Sequence, residues 1–197
     1  MLRIEKLKLL NGQIISLDIK AGDVILIKGQ NGTGKSLLLK SLARLIPSSE
    51  DSLELLGQSI EEHRSKVLYL PPVVVFDPEM EVKDFFDDPL KLKIYQGHKY
   101  NSEFMLPIES LMTQKMTLLS SGQKQLVAMF RAMNLKAQIL LLDEPFAHID
   151  QAKRKEMIEL LVKWKSSDKA IVIVTHDEIT FPDQETKSLT LEPLFDK

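Results

Sequence analysis

The chain is predicted to be an α/β protein: a mostly parallel sheet covered by helices, entered through an N-terminal antiparallel β ribbon and interrupted by an inserted helical subdomain. Three observations predict it. Apolar runs rich in Val, Ile and Leu recur at 24–27, 67–70, 73–76, 139–142 and 171–174. Runs that do not alternate mark strands buried on both faces. Helix-period patterns fill the intervals between them. The opening segment alternates instead, with Ile15, Leu17 and Ile19 set against Ser16, Asp18 and Lys20, just after an Asn11-Gly12 hairpin signal.

Taken in order, the ribbon feeds the strand at 24–27, and Leu38, Leu42 and Leu45 share one face of a helix that begins near Lys35. Strands are expected at 67–70 and 73–76. Residues 77–118 break the rhythm with Pro78, Pro89 and Pro107 and the acids Asp84, Asp87 and Asp88, and read as a mostly helical insertion flanked by loops. Leu126, Val127, Phe130 and Met133 then line one helix face after Gln123, and Met157, Leu160, Leu161 and Trp164 line another. Such Met and Trp positions are core before they are anything else. The opposite face of the second helix carries Lys153, Arg154, Lys155 and Glu159 and reads as solvated. The expected organisation is a single domain over 1–197, with 1–76 and 119–197 forming the ribbon and core and 77–118 the helical subdomain.

Composition narrows the function. The 197 residues carry 26 Lys plus Arg against 28 Asp plus Glu, a net charge of −2, which lacks the concentrated positive surface that nucleic acid demands. Hydrophobic residues at 44% and charged residues at 27% fit a globular chain with a real core. There is no cysteine, so no disulfide framework and no thiolate metal site. The first residues mix charged with apolar side chains and do not resemble a signal peptide. No apolar run approaches the roughly 20 residues that span a bilayer, so any membrane role is expected to come through a partner.

Gly29-Gln30-Asn31-Gly32-Thr33-Gly34-Lys35-Ser36 follows the strand at 24–27 and opens a helix, which is the setting of a phosphate-binding loop. Glycines let the backbone curl so that successive N–H groups face phosphate oxygens, and the helix N-terminus adds partial positive charge. Lys35 is expected to reach the β- and γ-phosphates and the Ser36 hydroxyl to bind Mg²⁺. A chance glycine turn matches the four fixed positions in a chain this long on the order of once in a hundred. The strand before and helix after make it rarer still. The expected ligand is a nucleoside triphosphate on a P-loop nucleoside triphosphate hydrolase core.

A second apolar strand ends in Asp143-Glu144-Pro145. A surface turn opened by acids is the bland alternative, but beside a phosphate loop Asp143 is placed to hold Mg²⁺ and Glu144 to polarise an attacking water. His176 follows the strand at 171–174 and is placed to donate a hydrogen bond to the γ-phosphate. His63, His98 and His148 have no such setting. Leu119-Ser120-Ser121-Gly122-Gln123 opens a helix, with Ser120 as its N-cap and its free N–H groups as a second anion site.

Together these residues resemble the ATP-binding cassette family, the nucleotide-hydrolysing subunits of ABC transporters. The likeness runs through nearly the whole chain. The loop at 29–36 is shared by many nucleotide-binding folds; Leu119 to Gln123, lying between that loop and the acidic strand, is what singles out this family. Ala147-His148-Ile149-Asp150 holds the place of its D-loop. The resemblance implies a head-to-tail dimer that sandwiches ATP between Gly29, Asn31, Gly32, Thr33, Gly34, Lys35 and Ser36 of one subunit and Ser120, Gly122 and Gln123 of the other. Glu144 is then the general base, His176 the switch histidine and Asp150 the D-loop acid. ATP and Mg²⁺ are the implied ligands. The implied partners are a second cassette subunit, identical or paralogous, and an integral membrane transporter subunit that holds the chain on the inner, cytoplasmic face.

The sequence departs from the family in three places. Pro72 stands where the Q-loop glutamine is expected, without a side-chain oxygen and with a fixed φ. No aromatic residue precedes Gly29 to stack the base, which leaves Leu9 or Leu10 as an apolar platform. Ser121 replaces a glycine. Among other phosphate-loop proteins, a GTPase is disfavoured because no Asn-Lys pair exists for a guanine-reading motif. The alternative function is a soluble cassette ATPase, or a nucleotide-responsive regulatory module with weak hydrolysis and no transport role.

Overall fold

Leu2–Lys8 (β1) and Ile14–Ile19 (β2) form the antiparallel ribbon, with Leu2 opposite Ile19 and Lys8 opposite Ile14. Gly12 turns the chain at φ 92°, a conformation that costs glycine nothing. The chain then runs through Val24–Lys28 (β3), Lys35–Leu42 (α1), Leu53–Glu54 (β4), Val67–Leu70 (β5) and Val82–Asp87 (α2). It continues through Ser121–Asn134 (α3), Ile139–Asp143 (β6), Gln151–Trp164 (α4), Ala170–Val174 (β7) and Thr186–Thr190 (β8). The computed structural model describes residues 2–47, 53–54, 64–87, 106–135, 137–147, 149–165, 168–182 and 185–193. The histidines at 63, 98 and 148 and the acid at 88 lie outside them.

The central sheet has the order β5-β6-β7-β3-β8, and every neighbouring pair is parallel. Its period-2 alternation divides the core in two. Ile139 and Leu141 of β6 join α1 and the ribbon on one side, while Leu140 and Leu142 join α2, α3 and α4 on the other. Both faces are therefore dry, which is why the runs are continuous rather than alternating. Each fully buried Val, Leu or Ile contributes about 1.5–3 kcal/mol. Beside this sheet, β4 adds antiparallel to β1 and widens the ribbon to the order β2-β1-β4.

The helices bury the faces their spacing predicts. Leu126, Val127, Phe130 and Met133 of α3 are at most 8% exposed. Ser120 caps α3 through a reciprocal box, accepting from the Gln123 N–H at 3.2 Å while its own N–H donates to Gln123 Oε1 at 2.9 Å. Met157, Leu160, Leu161 and Trp164 of α4 are buried, and the Trp164 Nε1–H donates to the Met133 carbonyl at 2.7 Å, tying α4 to α3. Between β5 and α3, the described residues hold α2 and two 3₁₀ turns, Leu106–Leu111 and Met116–Leu118. Phe76 meets Phe85 edge to face at 4.9 Å, and Arg131 of α3 lies over the Phe85 ring.

The structure corrects the sequence reading at four points. Residues 73–76 are not a strand: Val73 is 67% and Val75 91% exposed, and Pro71-Pro72 withdraws two backbone donors where another ladder would start. Val74 and Phe76 still turn inward from this extended segment. The helix α1 stops at Leu42, since Arg44 takes φ 53°, so Leu45 is exposed and Leu39 completes the buried face. The strand β8 and the short β4 were not foreseen.

Candidate nucleotide-binding site

The site gathers at the carboxyl ends of parallel strands, where the chain leaves the sheet for loops. Gly29 to Ser36 joins β3 to α1, Asp143 and Glu144 end β6, and His176 lies two residues beyond β7. A cleft of about 300 Å³ brings them together, lined by Asn31, Gly32, Gly34, Lys35 and Ser36, by Asp143 and Glu144, by His176, and by Leu37, Pro72 and Val174. Residues more than a hundred positions apart thus face one space.

The loop is held open by its own hydrogen bonds. Lys35 is buried, and its Nζ donates to the carbonyls of Gly29 at 2.8 Å and Gln30 at 2.9 Å. Thr33 is buried too, its hydroxyl donating to the Gln30 carbonyl, so its place is inside the loop rather than on the cleft wall. Gly34 precedes α1 at φ 94° with no side-chain cap, which leaves the first-turn N–H groups to an anion. Gly29 is the tightest point: at φ 147°, an added Cβ would lie 2.5 Å from the Leu191 carbonyl oxygen and 2.8 Å from Thr33 Oγ1. Gly29→Ala is expected to cost about 2–3 kcal/mol, read as a lowered urea midpoint at unchanged slope.

The hairpin at Asn11 closes over the same loop. An added Cβ on Gly34 would meet the Asn11 amide nitrogen at 2.6 Å and Gln13 Oε1 at 2.9 Å, and Gln13 Nε2 donates to the Glu192 carbonyl at 2.7 Å. Of the two leucines considered as a base platform, Leu9 is buried in the core, and Leu10 is 64% exposed.

The acidic strand end divides its two carboxylates. Asp143 is 1% exposed and accepts a hydrogen bond from the Tyr69 hydroxyl at 2.9 Å. Burial first, then the charge and hydrogen bond of Asp143, push the Tyr69 phenol well above its ordinary value, so it stays protonated and donates. Glu144 turns out of the strand at φ 48°, its N–H anchored on the Val174 carbonyl. Its Oε2 accepts from the His176 backbone N–H at 3.3 Å. Its Oε1 is buried without a hydrogen-bond partner and lies 3.4 Å from His176 Nε2. A buried carboxylate oxygen without a donor is suited to receive one from a water or ligand.

The donor set fits a hard cation. Ser36 in the first turn of α1 and Asp143 at the end of β6 offer oxygen ligands only, and Mg²⁺ characteristically takes one or two protein oxygens and completes its octahedron with water and nucleotide phosphate. Among the described residues, no three acidic or imidazole side chains gather as a metal cage of their own.

The remaining residues singled out in the sequence lie apart from this cleft. Ser120, Gly122 and Gln123 occupy the exposed or half-buried start of α3, with Ser120 and Gln123 engaged in the capping box. Asp150 is exposed and caps α4 by accepting from the Lys153 N–H at 3.0 Å, the contact that most lowers its pKa. The cleft also contains Pro72. The residue missed by the sequence reading is Tyr69. Its signal was a tyrosine inside an otherwise aliphatic strand, where a hydroxyl needs a partner.

A parallel sheet that delivers a phosphate loop and an acidic strand end to one cleft defines a P-loop nucleotide-binding protein. Comparison with known proteins narrows the class: the chain matches the ABC transporter family model over residues 13–147. It is 34% identical over 180 residues to the manganese transport system ATP-binding protein MntB of Listeria monocytogenes, covering 83% of this chain and 72% of that protein. It is 33% identical over 171 residues to the molybdate/tungstate import ATP-binding protein WtpC of Pyrococcus abyssi, covering 82% of this chain but only 50% of that protein. Its fold is similar to the dimeric structure of MJ0796, a bacterial ABC transporter cassette, with a TM-score of 0.72 at 25% identity over 98% of this chain and 94% of that one. The chain belongs to the ABC transporter family, whose ATP-binding subunits are ATPases. Among the described residues, no helix is long and apolar enough to cross a membrane.

Proposed function

We propose that this chain is the ATP-hydrolysing subunit of an ABC transporter, and that ATP-driven closure of a cassette dimer moves a membrane-spanning partner from the inner face of the membrane. The observation that carries the reading is the shared cleft, which the phosphate loop and Glu144 line together. Support for transport comes from the relatives, named for manganese transport and for molybdate/tungstate import. Support for a dimer comes from the dimeric cassette of similar fold. The whole of 1–197 acts as one cassette, with 77–118 as its helical subdomain.

Each residue then has a task. Gly29, Asn31, Gly32, Thr33 and Gly34 shape the loop whose N–H groups take the phosphates, and Lys35 neutralises the β- and γ-phosphate oxygens. Ser36 and Asp143 would hold Mg²⁺, which would supply positive charge to offset that of the phosphates. Glu144 accepts the proton of the attacking water, while His176 donates to the γ-phosphate and holds Glu144 beside it. Ser120, Gly122 and Gln123 approach the γ-phosphate from the second subunit, and Asp150 stands at the subunit boundary. The placement of the start of α3 outside the cleft of its own chain supports a second subunit as the source of these groups.

The reading is tested by purifying the tagged chain from detergent-solubilised membranes of its own cells. Recovery of an integral membrane protein in constant ratio is the expected result. Recovery of none, from membranes in which the chain is abundant, overturns the transporter assignment in favour of a soluble cassette ATPase.

A further inference from the structure

The contact between Tyr69 and Asp143 follows from sheet register. Residues 69 and 141 are opposite one another across β5 and β6, so Asp143 is two positions further along β6, on the same face and diagonal to Tyr69. Diagonal neighbours in a sheet stand beyond the reach of short side chains but within that of an aromatic one. The Tyr69 ring packs among the buried residues between the sheet and α1, the side on which the phosphate loop lies. Its hydroxyl ends 2.9 Å from Asp143 Oδ2. Immediately beyond β5 come Pro71 and Pro72, the second of which lines the cleft, and their fixed φ values leave the end of β5 little freedom. A ring held by packing and a strand end held by prolines make a firm support for one carboxylate.

We propose that Tyr69 is a positioning residue for Asp143: by engaging one carboxylate oxygen from the neighbouring strand, it presents the group to the metal–nucleotide complex in a single orientation. The inference rests on the ATP-site reading above and goes beyond it, because no cleft-lining role is assigned to Tyr69. Mutation of a partner that orients a metal-binding side chain typically costs about 10–100-fold in metal affinity.

The test uses Mn²⁺ as a paramagnetic substitute for Mg²⁺ and a non-hydrolysable ATP analogue. Analogue affinity in EDTA reports the phosphate loop alone, and Mn²⁺ affinity of the analogue complex, read by electron paramagnetic resonance, reports Asp143. Tyr69→Phe keeps the ring and removes the hydroxyl. It is expected to weaken Mn²⁺ about ten-fold while leaving the metal-free affinity within about two-fold. Coupled residues are non-additive, so on an Asp143→Asn background the same change is expected to have no further effect. Unchanged Mn²⁺ affinity in Tyr69→Phe overturns the inference, and so does an equal fall in both affinities, which assigns Tyr69 to support of the fold. Failure of the unmodified chain to bind the analogue overturns the nucleotide-site reading and the inference with it.

Discussion

Glu144→Gln is expected to lower steady-state ATP turnover about 10³-fold, the range of a lost general base, while nucleotide binding persists. The substitution keeps the shape of the side chain and both of its oxygen-side neighbours but replaces one oxygen by an NH₂ group. In the structure, Oε2 is held by the His176 N–H, and Oε1 is buried without a hydrogen-bond partner 3.4 Å from His176 Nε2, so the amide can keep its carbonyl on the backbone N–H and place its nitrogen where Oε1 stands. That nitrogen cannot take a proton from water. The backbone turn at φ 48° and the bond from the Glu144 N–H to the Val174 carbonyl are unaffected, so the cleft is expected to keep its form. If hydrolysis opens the dimer, the variant in saturating MgATP is expected to elute from a sizing column at twice the mass of the nucleotide-free chain. Turnover equal to that of the unmodified protein overturns the assignment of Glu144; a monomer in MgATP overturns the sandwich.

Much of this site was legible because its chemistry is local. Gly29 to Ser36 fixes a strand, a turn and a helix start within a few residues, and the aliphatic run ending at Asp143 announces a buried strand with a charge at its tip. The misread segments obey weaker rules. Residues 73–76 have the composition of a core strand, yet the preceding prolines deny them a ladder, and only Val74 and Phe76 turn inward. The opposite error occurred at β8, where Thr186, Lys187, Ser188, Leu189 and Thr190 have too little apolar content to resemble the other strands. An edge position beside β3 asks for less. The partner of Tyr69 was beyond sequence reading for a different reason: the link to Asp143 depends on the register of two strands distant in sequence, and no local pattern encodes register. The same holds for the seating of Asn11 and Gln13 against Gly34.

Replacing Lys35 by methionine is expected to reduce nucleotide affinity about 10–100-fold, measured by titration with a fluorescent ATP analogue in the presence of EDTA. The magnitude follows from two losses. An ammonium donating to phosphate forms a charge-assisted hydrogen bond worth about 1.5–3 kcal/mol, and each 1.4 kcal/mol is roughly ten-fold in affinity. The second loss is preorganisation. Lys35 Nζ now ties the Gly29 and Gln30 carbonyls, so methionine, with a similar length but no donor, leaves the loop to be ordered by the ligand at the ligand's expense. The two losses can be separated. Lys35→Arg restores charge, but its planar fork does not reproduce a compact ammonium with three donors, so it is expected to recover only part of the affinity. Metal-free conditions matter because Mg²⁺ supplies charge of its own and masks the effect of the lysine. Affinity unchanged in Lys35→Met under those conditions overturns both the phosphate contact and the preorganising role of Lys35, and phosphate binding then passes to the backbone N–H groups at the start of α1.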